Sequence, residues 1–235
     1  MTDPALYLIP VPLSDVPVEN VLPASNLRVV GQIKHFVVEN LRSARRFLKA
    51  CDKSIDIDEL HFDELNRHTD PSALDAMLDP IERGFPVGVI SEAGCPAVAD
   101  PGADLVAIAQ RRGMKVVPMV GPSSILMGLM ASGFNGQSFA FHGYLPIDAA
   151  AKSRAIKEMQ RRIDVESQTQ IFIETPYRND ALLSELTRVL PPRLRLCVAT
   201  DISGAHERIL TRTIAQWKRQ SVIIGKVPTI FLLYK

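Results

Sequence analysis

PVGVISEAGCPAVADPGADLVAIAQRRGMKVVPMVGPSS, residues 86–124, decides the fold. Residues 86–91 are a short apolar run without polar alternation, as in a strand buried on both faces. A loop of small residues, Gly and Pro follows at residues 91–102. Residues 101–112 then place apolar side chains at helical spacing with Pro in the first turn. A second strand is predicted at residues 115–117, and Gly121 and Pro122 interrupt the chain before a helix at residues 124–131. Strand, loop, helix, strand is the repeating unit of a parallel sheet in an α/β protein.

The same grammar extends outward. Residues 5–9 and 35–38 read as strands; Leu41, Ala44, Phe47 and Leu48 then recur at helical spacing, so a strand-to-helix turn falls at Glu39 and Asn40. Residues 71–83 predict one helix with Leu74, Met77, Leu78 and Ile81 on a single face. Residues 10–23, with four prolines, read as an irregular loop. In the second half, residues 138–141 are extended, 149–163 form a basic helix, 169–173 a strand, and 177–190 a helix stopped by Pro191 and Pro192. Residues 194–199 and 207–213 read as strands that suit antiparallel pairing, and 229–234 is a final buried strand. The break at residues 116–121 predicts two α/β domains, 1–118 and 119–235.

Bulk properties narrow the class. At 235 residues, 46% apolar and 23% charged, the chain is globular rather than disordered or fibrous. With 27 basic against 26 acidic side chains the net charge is +1, so no global field draws in nucleic acid or membrane, although a local basic patch is compatible with it. Cys51, Cys95 and Cys197 are far apart and outside CxxC spacing, against a disulfide framework or zinc site and in favour of a reducing cytoplasm. MTDPALYLIP lacks the basic start and apolar length of a signal peptide, and no stretch has the apolar length of a membrane span.

Ligands of open α/β sheets bind in loops outside the carboxyl ends of strands. Four such loops stand out: residues 10–15, 91–102, 120–124 and 174–178. Their small residues let a main chain approach a ligand closely. None is a GxGxxG fingerprint or a phosphate loop, and HExxH, metal-ligand clusters and GxSxG are absent from the sequence, so a dinucleotide enzyme, a metal enzyme and a common hydrolase are disfavoured.

LYLIP (6–10), SEAGCPAVADPG (91–102), VVPMVGPSS (116–124), GYLP (143–146) and IETPYR (173–178) occur in the order found in tetrapyrrole-methylase-like, class III S-adenosylmethionine methyltransferases. The chain most resembles the bacterial branch that 2′-O-methylates a cytidine of small-subunit ribosomal RNA. The resemblance implies a parallel-sheet N-terminal domain, a mixed-sheet C-terminal domain, S-adenosylmethionine in the cleft between them, and a homodimer. It carries cofactor contacts to Pro10, Ala93, Gly94, Cys95, Val98, Ser123, Ser124, Ile173, Glu174, Pro228 and Thr229. Departures fall elsewhere: PVPLSD (10–15) replaces a Gly-bearing first loop, VENLR (38–42) an AEDTR stretch, and TDISG (200–204) an RELTK stretch.

Methyl transfer from a sulfonium needs alignment and exclusion of water more than a metal. A ribose hydroxyl would also need a proton acceptor, for which Glu39, Glu92 and His142 are candidates. For each the duller role is favoured: Glu39 capping the following helix, Glu92 holding its own loop through main-chain amides, and His142 hydrogen bonding inside the fold beside Gly143. Arg42, Arg45, Arg46 and Lys49 share one helix face, suited to a phosphate backbone or simply to solvent. The alternatives to RNA are a tetrapyrrole or other small acceptor, and a non-catalytic paralogue that binds cofactor or RNA.

Overall fold

The computed structural model describes residues 2–66, 68–220 and 222–235. The chain divides into two compact units, Met1–Ser123 and Ser124–Lys235. The first contains β1 (Leu6–Ile9), α1 (Ala24–Val30), β2 (His35–Val38), α2 (Leu41–Cys51), β3 (His61–Glu64), α3 (Asp79–Glu82), β4 (Val87–Ile90), α4 (Gly102–Arg111) and β5 (Val116–Pro118). Its five strands are all parallel in the order β3-β2-β4-β1-β5. β4 is buried at every position, as its unbroken apolar run predicts. Gly88 is required there: a Cβ would lie 2.6 Å from Ile9 Cδ1 and 2.9 Å from Phe36 Cδ1.

Each face of this sheet carries its own core. Ile9, Phe36 and Val38 pack with Phe47 and Leu48 of α2 on one side. Leu6, Val37 and Val89 pack with Leu78 and Leu105 on the other. Burial of each such side chain is worth about 1.5–3 kcal/mol. Asn40 starts α2 by accepting hydrogen bonds from the main-chain N–H of Arg42 (2.9 Å) and Ser43 (3.2 Å).

Residues 71–83 differ from the expected helix. They form 3₁₀ turns at Pro71–Ala73 and Ala76–Leu78 before α3. Pro71 and Pro80 lack the N–H a continuous helix would use, yet Leu74, Met77, Leu78 and Ile81 are all buried. The segment read as an irregular loop contains a 3₁₀ turn at Val18–Asn20. Residues 119–123 pack with the first unit: Met119 N–H donates to Leu8 O (3.1 Å), and Asn26 Nδ2 donates to Val120 O (2.7 Å).

The second unit contains α5 (Ser124–Ser132), β6 (Phe139–Tyr144), α6 (Ala149–Glu166), β7 (Thr169–Ile173), α7 (Asn179–Val189), β8 (Arg195–Thr200), β9 (Arg208–Thr213), α8 (Ile214–Lys218) and β10 (Thr229–Tyr234). Its sheet, ordered β6-β7-β10-β8-β9, is mixed: β6 and β7 are parallel, and the other pairs antiparallel. The last strand of the chain is therefore central. Phe231 stacks on Phe172 at 5.7 Å and packs with Ile163, Leu186 and Trp217. The Trp217 indole donates to Leu196 O at 2.9 Å, satisfying its one polar atom.

Candidate functional site

Three of the four small-residue loops meet at the carboxyl end of the parallel sheet. Val11 and Gly94 exchange main-chain hydrogen bonds of 2.9 and 3.2 Å, pairing the loop after β1 with the loop after β4. The Cys95 thiol donates to Pro122 O at 3.4 Å, drawing in the loop after β5. Gly121 lies so close to Pro10 that a Cβ there would be 2.2 Å from the ring. Gly94 has φ 72°, the left-handed region open to glycine. Pro10, Gly94 and Cys95 are thus brought together, with Ala93 exposed beside them and Ser123 closing the unit.

The rest of the loop after β4 is held by its own acid. Asp100 Oδ1 accepts from Ala97 N–H (2.8 Å) and Gly102 N–H (3.0 Å) while Ala97 and Ala99 adopt φ of 65° and 64°. Val98, between them, is exposed. Burial pushes the Cys95 thiol upward, so it packs as a small neutral side chain rather than a thiolate.

Glu39 and Glu92 stand at the ends of neighbouring strands. Glu39 Oε2 accepts the Glu92 main-chain N–H at 3.3 Å, and a carboxylate oxygen of Glu92 accepts from Ser43 Oγ on α2. Burial, with Asp100 and Glu92 nearby, raises the Glu39 carboxyl above its ordinary range, against the Glu92 N–H that lowers it. Arg42, Arg45, Arg46 and Lys49 are exposed along α2, and none forms an ion pair among the described residues. Arg45 lies over the Phe62 ring at 5.6 Å.

The second unit gathers the remaining candidates differently. Ser124 opens α5. Glu174 is buried; its Oε1 accepts from Thr175 N–H (2.7 Å) and from two nitrogens of Arg178 (3.0 and 2.6 Å). Its carboxylate therefore shapes the turn after β7, next to Ile173. Pro228 O accepts from Asp201 N–H (3.0 Å), and Thr229 Oγ1 from Asn179 Nδ2 (3.0 Å). His142 sits in a bulge of β6, its Nε2 2.7 Å from Gln170 Oε1. Gln170 Nε2 donates to Gln168, so the network assigns the proton of that pair to His142.

Asn179 escaped the sequence reading, although it directly follows IETPYR. It is fully buried, and its amide also donates to Gly225 O (3.3 Å) and Val227 O (2.8 Å). Asp180 accepts the next N–H groups, from Ile224 and Gly225. Together they pin residues 224–229 to α7. Among the described residues no His, Cys, Asp and Glu cluster could hold a metal, and no helix is long and apolar enough to cross a membrane.

No protein-family model matches the chain. Curated relatives do. The ribosomal RNA small subunit methyltransferase I of Vibrio cholerae is 30% identical over 213 residues, 91% of this chain and 70% of that protein. This chain belongs to the ribosomal RNA small subunit methyltransferase I family. The family's Halalkalibacterium halodurans member is 27% identical over 224 residues, covering 94% of this chain and 73% of its own. The solved uroporphyrin-III C-methyl transferase of Thermus thermophilus, complexed with S-adenosylhomocysteine, aligns with TM-score 0.59 at 16% identity, over 98% of this chain and 97% of that one. The fold is thus the tetrapyrrole methylase fold, and this methyltransferase I relative is an S-adenosylmethionine-dependent methyltransferase.

Proposed function

We propose that the chain methylates the ribose 2′-hydroxyl of a cytidine in small-subunit ribosomal RNA, acting as a cytoplasmic homodimer on RNA or the small subunit. The observation that carries the reading is the meeting of three small-residue loops beside α2, whose arginines have no acidic partner among the described residues. The loops present main-chain N–H and C=O groups, which suits a donor with both cationic and anionic ends. Gly94 and Gly121 keep side-chain bulk out of that junction, and the half-buried Cys95 thiol, pushed up by burial, adds no charge. Bound S-adenosylmethionine would supply a methyl group activated on sulfur.

In the first unit, Pro10, Ala93, Gly94, Cys95, Val98 and Ser123 are the proposed donor contacts. In the second, Ser124, Ile173, Pro228 and Thr229 take that role, with Glu174 and Asn179 holding their loops. Ser43 ties α2 to Glu92 of the donor loop, so Arg42, Arg45 and Arg46 flank the same strand ends and suit a phosphate backbone. A small tetrapyrrole acceptor would have no use for that exposed row.

The test is tritium transfer from labelled S-adenosylmethionine to isolated small ribosomal subunits, naked ribosomal RNA and a tetrapyrrole acceptor. Label in the RNA of either ribosomal sample supports the reading. Label in the tetrapyrrole alone overturns it.

A further inference from the structure

We infer that Glu39 is the proton acceptor for the RNA hydroxyl, an inference that rests on the methyl-transfer reading above. Three carboxylates approach one another at the carboxyl ends of β2 and β4, but Glu92 does not line the recess that Glu39 and Asp100 share, and Asp100 already holds its own loop through two N–H donors. Glu92 is exposed and bonded to Ser43. Glu39 is anchored through Oε2 alone, and its Oε1 has no hydrogen bond among the described residues. It is thus fixed in orientation with one oxygen in reserve, as a general base must be.

A second observation points to a guest at the same place. Glu39, Ser91, Asp100 and Gly102 line a recess of about 10 Å³, room for a single hydroxyl-sized group. Ser91 is 8% exposed, and its Oγ has no hydrogen-bond partner. Such a buried hydroxyl is costly to leave unpaired. An acceptor hydroxyl there would take a hydrogen bond from Ser91 and offer its own proton to Glu39 Oε1. As the acceptor oxygen bonds to the methyl carbon, the carbon–sulfur bond breaks with its electron pair left on sulfur. The hydroxyl proton moves to Glu39 and from there to water.

The groups facing Glu39 are Glu92 and Asp100, both acidic, and no cation pairs with it among the described residues. Because the folded carboxyl keeps its proton to higher pH than the unfolded one, stability is lost as pH rises through that interval, and the loss persists at neutrality. Glu39→Gln keeps an oxygen for the Glu92 N–H but cannot take the proton.

The experiment compares wild type, Glu39→Gln and Glu39→Asp on small subunits and naked ribosomal RNA, with donor affinity by calorimetry and thermal midpoints at pH 5 and 7. Glu39→Gln should lower kcat about 10²- to 10⁴-fold. It should abolish the acid limb of the kcat profile, leave donor Kd within about twofold and raise the midpoint at pH 7, with Glu39→Asp partly restoring kcat. Wild-type kcat in Glu39→Gln overturns the inference. So does a fall in kcat accompanied by matching losses of donor affinity and midpoint, which marks a structural role. Failure of the wild type to label either RNA sample overturns the acceptor reading itself.

Discussion

Gly121→Ala probes the loop junction most sharply, because the new methyl has nowhere to go. An ideal Cβ would lie 2.2 Å from Pro10 Cγ, 2.3 Å from Pro10 Cβ and 3.4 Å from Leu22 Cδ2. Carbon contacts are most favourable at about 3.5–4.0 Å, so the two loops must separate by more than an ångström. A proline ring has no alternative rotamer that would clear the space. Overpacking of this kind costs about 1–3 kcal/mol. With about 2.1 cal/mol/K of unfolding entropy per residue, a unit the size of Met1–Ser123 loses roughly 4 °C of Tm per kcal/mol. The expected drop is about 4–12 °C if that unit melts alone, and about half that if both melt together. Since Pro10 is a proposed donor contact, S-adenosylmethionine should also bind about tenfold or more weakly, equivalent to about 1.4 kcal/mol. Scanning calorimetry and titration calorimetry measure the two effects. Gly136→Ala is the control, because nothing lies within 4 Å of its added Cβ. A wild-type Tm and donor Kd in Gly121→Ala would refute the packing argument.

Three further outcomes follow from the same contacts. Replacing both Arg45 and Arg46 by Ala should weaken RNA binding, flatten its dependence on salt and leave donor affinity unchanged in filter-binding and calorimetric assays; equal loss of both affinities would mark a structural face. Asn179→Ala removes three hydrogen bonds around residues 225–229, leaving Gly225 O without that donor while Val227 O keeps the Thr229 hydroxyl, and should cost about 1–3 kcal/mol in urea unfolding, with donor binding weakened. Deleting residues 229–235 removes the central strand between β7 and β8, so circular dichroism should show the second unit unfolded.

Of the strands that carry the loops, β1, β4 and β7 were legible because they are almost wholly buried, whereas the half-buried β5 showed only as the short apolar pair Val116 and Val117. β4 and β10 read as unbroken apolar runs, and the structure buries β4 completely. β3 was not legible: HFDE is mostly exposed at the sheet edge, where Phe62 offers one packing contact with Phe36. α8 was missed for its brevity, although Thr213 and Gln216 form a capping box. The helix expected at residues 71–83 had the right buried face but the wrong backbone, since periodicity reports which side chains turn inward and proline decides how the chain gets there. The special loops were recognisable by composition. Their mutual arrangement was not, because the Val11–Gly94 bridge and the Gly121–Pro10 contact join residues distant in sequence. Asn179 was hidden for the opposite reason: a polar residue at a helix start reads as an ordinary surface cap, and only the fold shows it buried against Val227 and Thr229.

Nucleoside analysis of the methylated product tests the central claim most directly. Small subunits and naked ribosomal RNA lacking the modification are incubated with the protein and tritiated S-adenosylmethionine, and the RNA is then hydrolysed in alkali. Ribose methylation removes the 2′-hydroxyl needed for cleavage, so the account predicts label in an alkali-resistant dinucleotide that yields 2′-O-methylcytidine. Label recovered as a base-methylated mononucleotide, or no label in either RNA from an enzyme that binds the donor, would contradict it.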